Sequence, residues 1–414
     1  MKDKMYFKRI ETYTLLSILF WIALQMYFIY IYWGVPQYSD AETYTHEALK
    51  CYLQGEWYPN AEQVQNSQYI FNPGYINYLI LQLNIFGSLA YNSILGLFLN
   101  IILLCSIFTI IKRIVNIEAA YWGIILFCVM STNIVSPVLI MSDLLFTTLL
   151  FMSFALIRKT NLCLIIAAFF LCLSNYVRPV MAIFALPLLL VFFFNKYKLI
   201  HYLYFAGSFI VFYLILNVGV VKFTSARNQE GTTLGVNLIM AANEDANGAY
   251  NDIVFEKGKI GYLEKKYNVY EKDSVWKSRS INWIKNNPIK YIKPIPFKIL
   301  YLWGGDSYVF TTLDDNQREY TKEESRFSGL TKSIFLSLGY YLCLLLSFVG
   351  VWKLGRKIYG YWGIFLLPII LATGMHCILY SAMRYHYSYV PILIFYAVIG
   401  ILSIKYKNIN FLKR

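Results

Sequence analysis

Asp40, Asp143, Arg178, Arg227 and Arg384 are the residues of this 414-residue chain whose types and surroundings could do chemistry. Each stands where a long apolar run begins or ends, and a charge at such a position is costly enough that it usually has work to do. A carboxylate there can act as a general base, taking a proton from an attacking hydroxyl or amine. Arginines there can hold an anion, above all a phosphate, as charge develops on it. The first acid lies in YSDAETYTHEAL, residues 38–49, which adds Glu42, Tyr44 and Glu47; the last arginine lies in MRYHYSYVP, which adds Tyr385.

Every one of these residues also has a purely structural reading. Ser39-x-x-Glu42 fits a capping box, with Gly55 ending the helix and Asp40 in a first turn that favours negative charge. Glu47 then falls on a solvated helix face. Asp143 after Ser142 is likewise a first-turn acid, and Arg178 and Arg384 could anchor lipid phosphates at span ends. His46, His376 and His386 fall near the same level as Asp40, but no HxxxH or similar spacing makes a ligand set of them, so a divalent metal stays open.

Composition decides what positions these groups. Hydrophobic residues make up 58% of the chain and charged ones 14%, with a mean hydropathy of +0.49, beyond what a soluble core of this size carries. The aromatic content lacks the alternation of a β-barrel, so the spans are expected to be helices. Apolar runs fall at about 13–33, 90–111, 119–137, 142–157, 161–176, 179–195, 200–221, 331–352, 359–380 and 387–404. The fold class expected is therefore an all-α polytopic membrane protein with about ten transmembrane helices, in a range of roughly nine to twelve. Six of the seven cysteines lie inside these runs, leaving only Cys51 in a polar loop, so no disulfide framework or CxxC knuckle is available.

Residues 73–89, PGYINYLILQLNIFGSL, decide the topology. Read as a juxtamembrane or re-entrant helix, they leave 17 Lys/Arg on the side of the N-terminus and three, Lys50, Arg178 and Arg384, in the short loops of the other side. Read as a full span, they destroy that asymmetry, against the positive-inside rule. Both termini are then expected to be cytoplasmic, with Asp40, Asp143, Arg178, Arg227 and Arg384 facing away from the cytoplasm. The other 17 Lys/Arg lie in residues 222–332, and loops of that length are exempt from the charge rule. Within that stretch, SVWKSRSINWIKNNPIKYIKPIPFKILYLW suits interfacial helices on anionic headgroups. The organisation expected is a bundle over 1–221 that includes a first outer loop at 34–89, a long outer loop at 222–330, and further spans with a basic tail over 331–414.

The order of these features resembles the GT-C superfamily of polyprenyl-phosphate-sugar-dependent glycosyltransferases, the branch of protein O-mannosyltransferases and the lipid A aminoarabinose transferase (glycosyltransferase family 39-like). An acid after the first span, a Tyr four residues on, a small residue, a Gly, a Pro-Gly and a Phe-Gly occur here as Asp40, Tyr44, Ala48, Gly55, Pro73-Gly74 and Phe86-Gly87. The second acid of that pattern resembles Asp143 in SPVLIMSDLLF, and its Arg-Pro resembles Arg178-Pro179 in NYVRPV. An Arg-Asn before a Gly/Asn-rich run resembles ARNQEGTTLGVNLIMAANEDANGAY, and an Arg-Tyr followed by Pro resembles MRYHYSYVP. Many relatives carry an Asp-Glu pair at the first acid, where Ala41 here separates Asp40 from Glu42.

The resemblance implies a GT-C-like bundle with juxtamembrane helices in its outer loops, and an enzyme that moves one sugar with inversion. The donor would be a polyprenyl-phosphate-linked sugar such as an undecaprenyl phosphate derivative, and the acceptor a lipid, glycan or protein. Asp40 and Asp143 would be catalytic, and Glu42, Tyr44, Arg178, Arg227, Arg384 and Tyr385 would bind substrate. Nucleic acid is not an expected partner, because the basic residues are scattered between spans. Lipid-carrier logic points to a bacterial inner membrane and cell-envelope polysaccharide chemistry. Two rivals stand beside this reading: a glycan polymerase or ligase that uses a diphosphate-linked oligosaccharide, and a lipid-linked-sugar transporter or flippase. The second ranks lower, because transporters place charge near the bilayer midplane on broken helices in related halves.

Overall fold

The computed structural model describes residues 2–179, 181–264, 267–313, 330–406 and 412, and among these residues it is helical with no strand. The helices follow the apolar runs: α1 (Lys2–Ile31), α5 (Asn92–Ile114), α6 (Ile117–Val129), α8 (Ser142–Leu156), α9 (Asn161–Val177), α10 (Met181–Phe194) and α11 (Leu199–Phe223). Beyond the long loop come Leu338–Leu354, Leu367–Ile378 and Val390–Tyr406. Among the described residues, six helices are long and apolar enough to cross a membrane, a bent pair supplies a seventh, and α8, α9 and α10 are shorter apolar helices. Together they occupy the runs read from the sequence, so the polytopic helical bundle is the observed architecture.

One run departs from expectation. Residues 119–137 read as a single span, yet the chain bends by 73° between α6 and the helical stretch Ser131–Val138, which starts with α7 (Ser131–Val135). Met130 is extended, and the polar trio Ser131, Thr132 and Asn133 follows it. A break inside a membrane survives only where the freed backbone finds partners. Here Asn133 donates to the Phe127 carbonyl at 3.0 Å, while Trp21 at 3.2 Å and Asn100 donate to the Asn133 carbonyl.

Close packing at the C-terminal end depends on two glycines. A methyl group on Gly350 would overlap the Tyr396 carbonyl oxygen, and one on Gly400 would overlap that of Leu346. Without a hydrophobic force between helices in lipid, such backbone contact supplies the packing. Gly400→Val is expected to push the two helices apart and to lower the melting temperature in detergent by several degrees, whereas Gly207→Val on α11, which meets nothing within 4 Å, leaves it unchanged. Equal melting of the two variants would refute the crossing as a determinant of stability.

Before α5 the chain builds three short helices, α2 (Asp40–Gln54), α3 (Ala61–Asn66) and α4 (Pro73–Phe86). α4, the segment on which the expected topology turns, has 14 residues, about 21 Å of helix, the same length as α10. It is buried against α2 and α9, and Gly74 presses on the Tyr176 backbone where no Cβ would fit. α2 buries Ala41, Tyr44, Ala48 and Cys51, a helical stripe, and ends at Gly55 in the left-handed conformation (φ 68°), as read from the sequence. The capping box does not form: Ser39 makes no side-chain cap, because its own backbone is held at φ 62° and ψ −135°, away from the extended geometry a capping serine needs. Glu47 also departs from the solvated face expected of it. It is half-buried and accepts a hydrogen bond from Gln63, and burial pushes its carboxyl above the usual range.

The long loop folds into α12 (Thr233–Ala241), α13 (Val269–Asn286), α14 (Pro288–Ile292) and α15 (Ile295–Trp303). α13 starts on a true capping box, in which the side chains of Asn268 and Glu271 each accept from the other's backbone N–H. It packs on α12, where the Gly235 N–H donates to Asp273 at 2.6 Å. Ile289, Ile292, Phe297 and Leu300 remain exposed, the apolar side expected of interfacial helices.

Candidate active site

Four chain segments far apart in sequence converge at one end of the bundle. Asp40 opens α2, Asp143 sits in the first turn of α8, Arg178 follows the last turn of α9, and Arg384 lies in a short 3-10 helix, Met383–Tyr389. Local sequence explains each placement. Arg178 precedes Pro179, which disfavours further helix and leaves Arg178 extended, its side chain free to turn inward. Arg384 is carried by a segment whose neighbour Ser381 donates its N–H to the Gly248 carbonyl at 2.9 Å and whose His386 is bonded to the Leu302 carbonyl at 2.9 Å. Ser39, with a backbone conformation that costs roughly 1–3 kcal/mol for a non-glycine residue, immediately precedes Asp40.

The two acids meet the two arginines. Arg178 donates from Nη2 to Asp143 Oδ2 at 3.1 Å and from Nε to Ser142 Oγ at 2.9 Å, and its Nη1 stands 2.7 Å from Asp143 Oδ1 as an ion-pair contact without hydrogen-bond geometry. Arg384 pairs with Asp40 across almost the full length of the chain. One cavity of about 450 Å³ is lined by Asp40, Arg178 and Arg384 together with Tyr44, Tyr69, Tyr250 and Tyr385, with α12 on one side; Asp143, expected from the sequence to be catalytic, is buried behind Arg178 and does not line it. Tyr44 stands four residues after Asp40 on the same helix face, and burial, helped by the Asp40 charge, pushes its phenol up to about 12, so it stays protonated and able to donate. Tyr385 shares a hydrogen bond with Tyr380 at 2.7 Å and stacks on His376.

Two of the residues singled out from the sequence lie elsewhere. Glu42 is exposed and faces a separate groove of about 920 Å³ on the other side of α2, with His46 and Lys50 beside it on the same helix face. Arg227 is exposed and lies over the Tyr270 ring, 4.4 Å from its centre, outside the cavity wall. Ser142 and Tyr380 are cavity residues that sequence reasoning passed over, since each is a common residue beside an apolar run, and His376, weighed only as a metal ligand, joins them there.

A divalent metal would need several carboxylate or imidazole ligands free to converge on it. Asp40 and Asp143 instead each face a guanidinium, His376 is bonded to the Tyr380 carbonyl, and among the described residues no three His, Cys, Asp or Glu side chains come together. The donor set of the described residues therefore does not fit a metal.

No family model matches the sequence, and no curated protein matches it. Solved structures do. The oligosaccharyltransferase of Archaeoglobus fulgidus, in its apo form, superposes with a TM-score of 0.50 at 8% identity, over 95% of this chain and 51% of that one. ArnT from Cupriavidus metallidurans, bound to undecaprenyl phosphate, superposes with a TM-score of 0.40 at 9% identity, over 93% of this chain and 78% of that one. The chain thus spans about half the length of the archaeal protein, and what it shares with that protein is the fold: a GT-C-like membrane bundle.

Proposed function

We propose that this GT-C-like fold carries an integral-membrane glycosyltransferase that moves a single sugar from a polyprenyl-phosphate carrier to an acceptor hydroxyl or amine on the non-cytoplasmic side. The observation that carries the reading is the pair of acid–arginine contacts, Asp40–Arg384 and Asp143–Arg178, at the wall of one cavity. The acceptor oxygen or nitrogen forms a bond to the anomeric carbon as the bond from that carbon to the phosphate oxygen breaks. Displacement from the opposite face inverts that carbon.

The charge accounting fits two arginines. A sugar phosphodiester arrives with one negative charge and leaves as a monoester that gains a second, and Arg178 and Arg384 stand ready to hold both. The arriving phosphate competes with Asp40 for Arg384. Once it takes that guanidinium, the Asp40 carboxylate is released to accept the acceptor's proton. Asp143, which keeps Arg178 oriented through one hydrogen bond and the ion pair, acts as a positioning residue. Tyr44 donates to a sugar or phosphate oxygen.

Asp40 lines the cavity and not the Glu42 groove across α2, so donor and acceptor meet it on the cavity side. An apolar groove of about 580 Å³, between α4, α8, α9 and α11, begins at Val177 beside Arg178 and suits an isoprenoid tail. Gly219 lines it with nothing within 4 Å of a Cβ placed there. Gly219→Trp, whose Cβ meets nothing, puts an indole into the groove and is expected to raise the apparent KM for a long-tailed donor about tenfold, the equivalent of about two methylenes no longer buried. A short-tailed donor keeps its KM. Equal loss with both donors would dismiss the groove as the tail site.

The cavity's volume is at the lower end of the small-molecule range and favours one sugar over the block transfer of an oligosaccharide. The deciding experiment incubates the purified protein with polyprenyl-phosphate sugars in detergent and identifies by mass spectrometry which carrier is consumed and how many sugars the product gains. One added sugar supports the proposal, and block transfer from a diphosphate carrier replaces it.

A further inference from the structure

A second cavity, of about 350 Å³, lies at the end of the bundle away from the site, between α5, α8, α10 and the helix Val390–Tyr406. We propose that it binds one anionic glycerophospholipid, with the phosphate at Arg158 and Lys159 and one acyl chain in the cavity. The walls are apolar along their length, with Ile111, Phe151, Leu188 and Phe395 among them, and among the described residues no Asp or Glu lines them. The mouth is cationic. Arg158 and Lys159 are exposed there, in the turn that follows α8, and the Lys159 ammonium stands 5.5 Å from the centre of the Tyr197 ring.

Arg113 gives this mouth a fixed frame. Its guanidinium donates to the carbonyls of Phe154 (2.9 Å), Ala155 (3.1 Å) and Ile157 (2.8 Å), which satisfies the C-terminal carbonyls of α8 and holds the following turn in place. The basic pair is therefore presented at a defined position over an apolar opening, unlike a basic pair on a loose loop. The far end is closed. Phe184, in the cavity wall, stacks on Tyr389 with ring centres 5.8 Å apart, and Tyr389 belongs to the wall of the site cavity.

That partition selects the occupant. A cavity closed at one end takes a single acyl chain, whereas a long isoprenoid needs an open groove such as the one beside Arg178. Charge complementarity selects an anionic headgroup over a zwitterionic one, since the two cations meet no acid among the described residues of the cavity wall.

The test is native mass spectrometry of the full chain, reconstituted with equal amounts of phosphatidylglycerol and phosphatidylethanolamine and then released from the bilayer. One phosphatidylglycerol per chain is expected to remain bound, favoured about tenfold, the scale of one to two basic contacts with an anionic headgroup. The double variant Arg158→Gln/Lys159→Gln, on exposed residues, removes that preference. Leu188→Trp keeps the charges but fills the cavity, and it removes the retained lipid. Equal retention of the two lipids would overturn the proposal, as would unchanged retention in the Leu188→Trp variant, which signifies a loose annular lipid, or displacement by an equimolar polyprenyl monophosphate.

Discussion

Asp40→Asn is expected to cut sugar transfer by a factor of about 10² to 10⁴, the range over which a positioned general base acts. The expected loss is one of chemistry and not of fold. The Asp40 side chain is 27% exposed, against 5% for Asp143, so its half-buried carboxylate is the better screened of the two and Asp40→Asn is expected to cost little stability. Asparagine preserves the shape, still accepts a hydrogen bond from Arg384, and gives up only the favourable effect of a negative charge in the first turn of α2, about 0.3–1 kcal/mol. What it cannot do is take a proton from the acceptor. The measurement is consumption of a polyprenyl-phosphate sugar by purified protein, read by mass spectrometry, beside the melting temperature of the same preparation. A variant that melts normally and transfers at the full rate would remove Asp40 from the chemistry. A variant that loses activity and melting temperature together would return it to the structural role of a first-turn acid.

The partial exposure of this pair also bears on how a base can work while facing an arginine. A guanidinium held by a buried carboxylate would be hard to recruit, because separating the two would leave a desolvated charge. Asp40 is 27% exposed and lines the cavity, so a substrate phosphate can take Arg384 and leave a carboxylate that is still partly solvated. The strained Ser39 that precedes Asp40 is consistent with a backbone held for function, since such conformations gather at sites where surrounding structure over-determines them.

How much of this was legible in the sequence differs from residue to residue, for physical reasons. The spans were legible because apolar length is a local property, and the end of the bundle where Asp40, Asp143, Arg178 and Arg384 gather followed from loop charge alone. Their pairing was not legible. Asp40 and Arg384 meet only because the chain returns to its first outer helix after the last long loop, and nothing local encodes that contact. Arg227 illustrates the limit: it belongs to the stretch assigned to the same side, but fold-back of α13 places Tyr270 under it and keeps it out of the cavity wall. The capping box failed for a local reason that only geometry reveals, the φ of Ser39. The break at Met130 did leave a trace, since Ser131, Thr132 and Asn133 interrupt an otherwise apolar run.

The Asp143–Arg178 pair is expected to behave in the opposite way to Asp40–Arg384. Its side chains are only 5% and 18% exposed. Removing Arg178 leaves the Asp143 carboxylate buried and unmatched, so Arg178→Ala alone is expected to cost on the order of 3–5 kcal/mol of stability. Removing both charges and restoring volume, as in Asp143→Leu/Arg178→Met, is expected to recover most of that loss, because a buried ion pair and a well-packed apolar pair are often nearly equivalent. Activity separates the two roles that stability confounds. If the pair only braces α8 against the end of α9, the double variant regains transfer along with its melting temperature. If Arg178 holds the departing phosphate, the double variant melts like the parent and stays at least about a hundredfold slower, since no cation remains at that wall of the cavity where charge develops. A double variant with both properties restored would assign Arg178 to structure and leave Arg384 as the sole phosphate ligand in the proposed mechanism.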